Sequence, residues 1–225
     1  MIMKINSDEL SIHEIDSIRD TVKNHRSLDF SCYTLTNAQK LRFQEILKAF
    51  LDECNQPQLY NCMSYCLFEL LDNASRANAK RIFFQERNLN INDENDYKAG
   101  MKEFKADIAA NTKHYFEELN SGKLEVHLKL STDSVIALTV SNNTRITEME
   151  HKRILDKLEK TKHYQSMEDA LLNDIDQTEG SGLGIISIVM MLKKLGLSAD
   201  NLKFWTTDSE TFASIEIPSE SFMEI

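Results

Sequence analysis

Four polar residues between Cys62 and Lys80 have side chains suited to metal or phosphate and a spacing that brings them together. Glu69, Asn73, Arg76 and Lys80 stand at i, i+4, i+7 and i+11. On an α-helix of about 3.6 residues per turn they fall in one narrow strip. The strip offers a carboxylate, a neutral amide oxygen and two cations. Mg²⁺ is a hard cation that prefers oxygen and keeps most of its waters, so one amide oxygen plus phosphate oxygens can hold it. A carboxylate one turn away can orient or deprotonate a water or hydroxyl. The same strip also reads as a solvated face carrying helical charge pairs.

A second segment supplies what the strip lacks. Thr178-Glu179-Gly180-Ser181-Gly182-Leu183-Gly184-Ile185 sets three glycines at alternate positions just before an apolar helix. Glycines let a backbone approach a ligand closely. A helix start aims free N–H groups and a positive dipole end at it, and phosphate is the natural occupant. Two loop classes fail here. A Walker loop requires Gly-Lys-Ser/Thr where Gly184-Ile185-Ile186 stands, and a dinucleotide loop requires a preceding strand and a glycine at Ile185.

The elements that must position these segments follow from periodicity. Phe43, Ile46, Leu47, Phe50, Leu51 and Cys54 keep helical spacing over 38–54, and a short helix is expected near Leu10–Val22. The strip-bearing helix is expected from about Gln58 to Ala79, with Met63, Leu67, Leu70 and Ala74 on its apolar side. Another helix is expected from about Tyr97 to Leu119. Leu124, Val126, Leu128 and Leu130, then Ile136, Leu138 and Val140, alternate around Ser131-Thr132-Asp133-Ser134 and predict a hairpin. Residues 146–176 look helical and charged. An apolar helix, Ile185–Leu195, is closed by Gly196, and strands are expected at Leu202–Thr206 and Thr211–Ile217. The expected class is α+β: a two-layer α/β sandwich, mostly antiparallel, with helices on one face.

Glu69-Leu70-Leu71-Asp72-Asn73-Ala74 and Gly180-Ser181-Gly182-Leu183-Gly184-Ile185 resemble the N box and second glycine box of the GHKL superfamily, the histidine-kinase-like ATPases. Thr211, Ala213, Ile215, Ile217 and Pro218 resemble the closing strand of histidine-kinase ATPase domains. The likeness covers roughly Ala38 to Pro218, and its layout is similar to stand-alone anti-sigma-factor serine kinases. It implies a histidine-kinase type of sandwich that binds ATP and Mg between the N-box helix and a lid. Asn73 would be the Mg ligand, Glu69 the catalytic base or water-orienting residue, and Arg76 a cation near the phosphates. Gly180, Ser181, Gly182, Leu183 and Gly184 would cradle the phosphates, and Thr211 would support the adenine.

The resemblance breaks at one box. Where family members carry Asp-x-Gly-x-Gly, this chain reads Val140-Ser141-Asn142-Asn143-Thr144-Arg145-Ile146. Alternation puts Asn142 on the inward face, where its oxygen can accept from adenine and its amide could donate to a ring nitrogen. Both glycines are missing, so the lid hinge must be built differently. The implied organisation is an N-terminal extension (1–37), the ATP-binding domain (38–218) with a helical insertion at about 88–122 and a long lid at about 144–179, and a tail (219–225). The insertion reads equally as a docking arm or as a cover for the sheet edge. His13-Glu14 is read as an ordinary surface histidine, since it lacks the proline and paired helices of a phosphoacceptor box.

Composition narrows the function. Of 225 residues, 41% are hydrophobic and 28% charged, which is ordinary for a globular chain. A net charge of −10 argues against nucleic-acid binding. No run approaches the ~20 apolar residues of a membrane helix, and Met1–Asn6 lacks a secretory core, so a cytoplasmic protein is expected. Cys32, Cys54, Cys62 and Cys66 show neither a C-x-x-C pair nor neighbouring histidines and are expected to be reduced thiols. The leading expectation is a signalling protein kinase that passes the ATP γ-phosphate to a regulatory partner protein, with a homodimer open. The alternative is a degenerate nucleotide-sensing module with little turnover. A DNA-repair or topoisomerase-like fragment suits the family but not the acidity.

Overall fold

The computed structural model describes residues 2–4 (backbone only), 10–173 and 183–218. Six strands form one sheet in the order β1-β2-β3-β4-β6-β5. They are β1 (Ile2–Lys4), β2 (Ser27–Cys32), β3 (Val126–Thr132), β4 (Val135–Asn142), β5 (Leu202–Thr206) and β6 (Thr211–Pro218). Every pairing is antiparallel except β1 with β2. The α+β class is therefore as expected.

Register explains the layering. Leu28 pairs with Leu130, Phe30 with Leu128 and Cys32 with Val126. Leu138 pairs with both Leu130 and Ile215, and Ile215 with Leu202. Side chains two apart share a face, so these residues form one apolar surface. It packs against the buried faces of α1 (Ile12–Lys23), α2 (Asn37–Glu53), α3 (Tyr60–Glu86) and α8 (Gly184–Lys194) in a single core. All four cysteines are free thiols, three of them buried.

Residues 12–32 are not an appendage to this body. Ile18 and Val22 of α1 and Leu28, Phe30 and Cys32 of β2 belong to the main core, and β2 forms six register pairs with β3. The boundary expected at residue 37 thus falls between two packed elements. Helix starts at Ser11, Thr36 and Thr147 are closed by capping boxes with Glu14, Gln39 and Glu150.

α3 runs seven residues past its expected end, because Ile82, Phe83 and Phe84 have a second core to enter. That core is supplied by the insertion. A single helix was expected there, but α4 (Glu94–Ala110) and α5 (Thr112–Ser121) meet at Asn111. The break lets Tyr115 turn back, and its hydroxyl donates to Asp107 at 2.5 Å. Phe83, Phe84, Tyr97, Met101, Phe104, Tyr115 and Leu119 close this satellite core. The charged stretch after β4 forms α6 (Glu148–Thr161) and α7 (Met167–Asn173).

Candidate functional site

Successive turns of α3 carry Glu69, Asn73 and Arg76 into one cavity of about 540 Å³. Glu69 is half-buried, whereas Asn73 and Arg76 are exposed. Among the described residues, neither the Asn73 nor the Arg76 side chain forms a hydrogen bond or ion pair. Opposite them stands the first turn of α8. A Cβ built on Gly184 would lie 2.6 Å from Glu69 Oε2 and 3.5 Å from Asn73 Nδ2. A side chain at this position would have to push the carboxylate aside. Leu183, at the N-cap of α8, supplies no side-chain cap, and the N–H groups of a helix's first turn take their acceptors from outside the helix. Gly180, Ser181 and Gly182 lie outside the described residues.

The sheet closes the cavity at another point. Register sets Asn142 directly opposite Thr211 and Val140 opposite Ala213, and all four line the cavity. Asn142 is 4% exposed. Its amide donates to Asn78 Oδ1 at 3.0 Å and to Thr144 Oγ1 at 2.6 Å. Thr144 Oγ1 donates to the same Asn78 oxygen, and Asn78 Nδ2 to the carbonyl of Glu125. The amide expected to be available to a ring nitrogen is thus engaged by protein. Asn142 Oδ1 accepts no hydrogen bond from a described residue. Thr211 Oγ1 donates to the Thr144 carbonyl at 2.8 Å, so its proton holds the loop and only its lone pairs face elsewhere.

Lys80, the last member of the strip, departs from the expectation. It is buried and its Nζ lies 2.7 Å from Glu150 Oε1 of α6 and 3.3 Å from the Tyr97 hydroxyl of α4. Arg81 donates to both oxygens of Glu150, at 3.0 and 2.7 Å, and to the Arg145 carbonyl. Burial pushes the Glu150 carboxyl up, but the charges of Lys80 and Arg81 and their hydrogen bonds outweigh it and hold it well below the usual carboxylate range. The strip therefore divides: Glu69, Asn73 and Arg76 face open space, and Lys80 joins two helices.

Three further features were missed in the sequence. Arg153, Ile154 and Lys157 of α6 line the cavity from above. Their i, i+1 and i+4 spacing from Arg153, with Glu150 one turn earlier, was a readable signal. Met101, Phe104, Lys105 and Ile108 of α4 form another wall, so the insertion contributes to the cavity as well as to its own satellite core. Among the described lining residues six cations stand against two carboxylates, in a chain whose net charge is −10. A cavity with apolar walls and excess cationic lining concentrates anions. No cluster of three or more His, Cys, Asp or Glu residues able to hold a metal occurs among the described residues. A divalent cation here would take most of its oxygens from its ligand and water.

Comparison with known proteins adds one relative. A protein of Treponema pallidum (strain Nichols), described as uncharacterized, is 34% identical over 212 residues, covering 94% of this chain and 41% of that protein. The chain thus spans about two fifths of that relative's length. No family model matches the chain and no solved structure matches it. Among the described residues, no helix is long and apolar enough to cross a membrane.

Proposed function

We propose that the chain binds Mg-ATP in this cavity as a domain of the histidine-kinase-like ATPase type and transfers the γ-phosphate to a regulatory partner protein. The observation that carries the reading is the approach of Gly184 to Glu69 and Asn73. It brings a helix start, a carboxylate and an amide side chain together in a cavity whose lining also includes Asn142, whose Oδ1 accepts from no described residue. The donor set fits the ligand. Asn73 offers the metal a neutral oxygen, the first turn of α8 offers N–H groups to phosphate oxygens, and Arg76 offers a cation. Val140, Ala213 and Phe204 offer the flat, apolar surface a base requires.

Mg-ATP supplies the transferable phosphoryl group and the charge of the metal. Glu69 takes up the proton of the partner's attacking hydroxyl at a carboxylate oxygen while that hydroxyl oxygen bonds to the γ-phosphorus and the bond to the bridging oxygen breaks to release ADP; the α8 amides hold the phosphates in line. Asn142 presents an acceptor and no free donor, which suits the amino group of adenine and opposes the carbonyl of guanine. Calorimetry tests the reading: Mg-ATP should bind at least tenfold more tightly than Mg-GTP, and Glu69→Ala should retain binding while losing about 100-fold or more in phosphotransfer or hydrolysis. Equal affinity for both nucleotides, or a Glu69→Ala protein of normal rate, would sink it.

One observation favours a second reading, a nucleotide sensor of low turnover. Glu150 clamps α6 to α3, and a roof held in this way suits slow exchange better than repeated opening. Tight Mg-ATP binding with no turnover in the presence of partner would select it.

A further inference from the structure

The cavity roof is fixed by one residue. Glu150 lies on the same face of α6 as Arg153, Ile154 and Lys157, at i, i+3, i+4 and i+7, and all four line the cavity. Its two oxygens accept from Lys80 and Arg81 of α3, and Oε2 also accepts from the Thr147 backbone N–H at 3.0 Å and the Thr147 hydroxyl at 3.1 Å. The carboxylate therefore closes the start of its own helix and ties that start to the helix bearing Glu69 and Asn73. Lys80 extends the tie to Tyr97 of α4, so three walls of one cavity meet at this point.

The connection leading into α6 has no joint of its own. Between Asn142 and Glu150 there is no glycine, and none of these residues has a positive φ. Asn142, Thr144 and Thr211 pin its first residues to α3 and β6, and Arg81 holds the Arg145 carbonyl. With both ends of the connection anchored, the height and rotation of α6 over the cavity depend on where Glu150 is held. A rotation of one helical position, about 100°, would carry Arg153 and Lys157 off the cavity.

We propose that Glu150 is a positioning residue that sets the roof cations Arg153 and Lys157 over the phosphate chain of the bound nucleotide. The inference rests on the nucleotide reading above and deepens it. The base meets the sheet and α3, so it gains little from the roof; the phosphates carry the charge that Arg153 and Lys157 attract. Glu150 thereby governs discrimination by phosphate number without touching the ligand.

The test uses the full chain with the isosteric Glu150→Gln, which keeps the shape of the anchor and removes its charge. Calorimetry with Mg-ATP and AMP should show about a tenfold loss for Mg-ATP and less than a twofold change for AMP, the size of one lost charge-assisted contact. In an Arg153→Ala, Lys157→Ala background, adding Glu150→Gln should cost less than about twofold further, because the groups through which it acts are gone. Equal losses for Mg-ATP and AMP, or additive losses in that background, would overturn the role and leave Glu150 a stabilising ion pair. Amide exchange without nucleotide reads the anchor itself. Glu150→Gln should raise exchange at least tenfold in the first turns of α6 and leave α8 unchanged, and no change at α6 overturns the proposal even if nucleotide binds. If Glu150→Gln shows the exchange effect but wild-type protein binds neither nucleotide, the nucleotide reading is removed instead, and with it the roof's role toward phosphate.

Discussion

The two halves of α3 carry similar polar residues to opposite ends. At its middle, Asn73 and Arg76 are exposed and face the cavity. Toward its C-terminus, Asn78 is 0% and Lys80 7% exposed, and both are engaged by other elements. The first half leans on the main core through Met63, Leu67, Leu70 and Ala74, the second on the satellite core through Phe83 and Phe84. Spacing along a helix says which residues share a face. Whether that face binds a ligand or a neighbouring helix depends on partners far away in the chain, and here α6 and the insertion turn the second half into structure.

That division can be broken from the structural side first. Phe83 is 1% exposed and meets Phe84 and Phe104 edge-on, with ring centroids 5.7 and 5.5 Å apart. Phe83→Ala removes the centre of the satellite core, and the expected loss is about 3–5 kcal/mol. Chemical denaturation gives the size. Amide exchange gives the place: protection should fall in α4 and α5 well before the sheet. A uniform loss over the whole chain would mean that the two halves of α3 stabilise one cooperative unit rather than two.

The anchor at Glu150 comes next in size. Its carboxyl is held below the ordinary value of 4.5 by Lys80 and Arg81 despite burial. A carboxylate with a depressed folded-state pKa stabilises the fold fully above its unfolded value, and this is lost as pH falls through the folded one. Glu150→Gln leaves the buried Lys80 and the partly buried Arg81 short of their carboxylate and should cost about 3 kcal/mol near pH 7. The gap between the two proteins should narrow on acidification below about pH 4.5. Denaturant midpoints measured across that range decide it. A gap independent of pH would mean that packing, not charge, holds α6 to α3.

Much of this comparison was open to sequence reasoning, and the part that was not has a physical cause. Strict alternation from Leu124 to Val140 made the hairpin readable and put Asn142 on the inner face, where the register has it. The apolar stripes of α2 and α8 were equally plain. β2 was overlooked although Leu28, Phe30 and Cys32 alternate, because Asp29 and Ser31 make it polar until β3 covers it. The roles of Asn78 and Lys80 depended on groups 64 and 70 positions away, and no local pattern reports such pairings. The break at Asn111 was missed because the apolar spacing continues across it. Of the expected phosphate loop, Leu183 and Gly184 fall among the described residues, and Gly184 is the one that stands close against Glu69.

The smallest change in stability should come from the start of α8 where it faces the open part of α3, and there the largest change in binding is expected. An added methyl at Gly184 would meet Glu69 Oε2 at 2.6 Å. The opposing atom is the end of a flexible side chain rather than backbone, so the carboxylate can swing aside. Gly184 also begins α8, and alanine there restricts the unfolded chain more than glycine does. The two effects oppose each other, and Gly184→Ala should fall within about 1 kcal/mol of wild type. Displacing Glu69 and filling the space beside Asn73 should nonetheless weaken Mg-ATP binding about tenfold or more and lower turnover further, as a small misplacement of a reacting group does. Melting temperature and calorimetry on the same preparation separate these outcomes. If Gly184→Ala bound Mg-ATP with unchanged affinity, the approach of α8 to α3 would be a packing contact like those at Phe83, and both halves of α3 would serve structure alone.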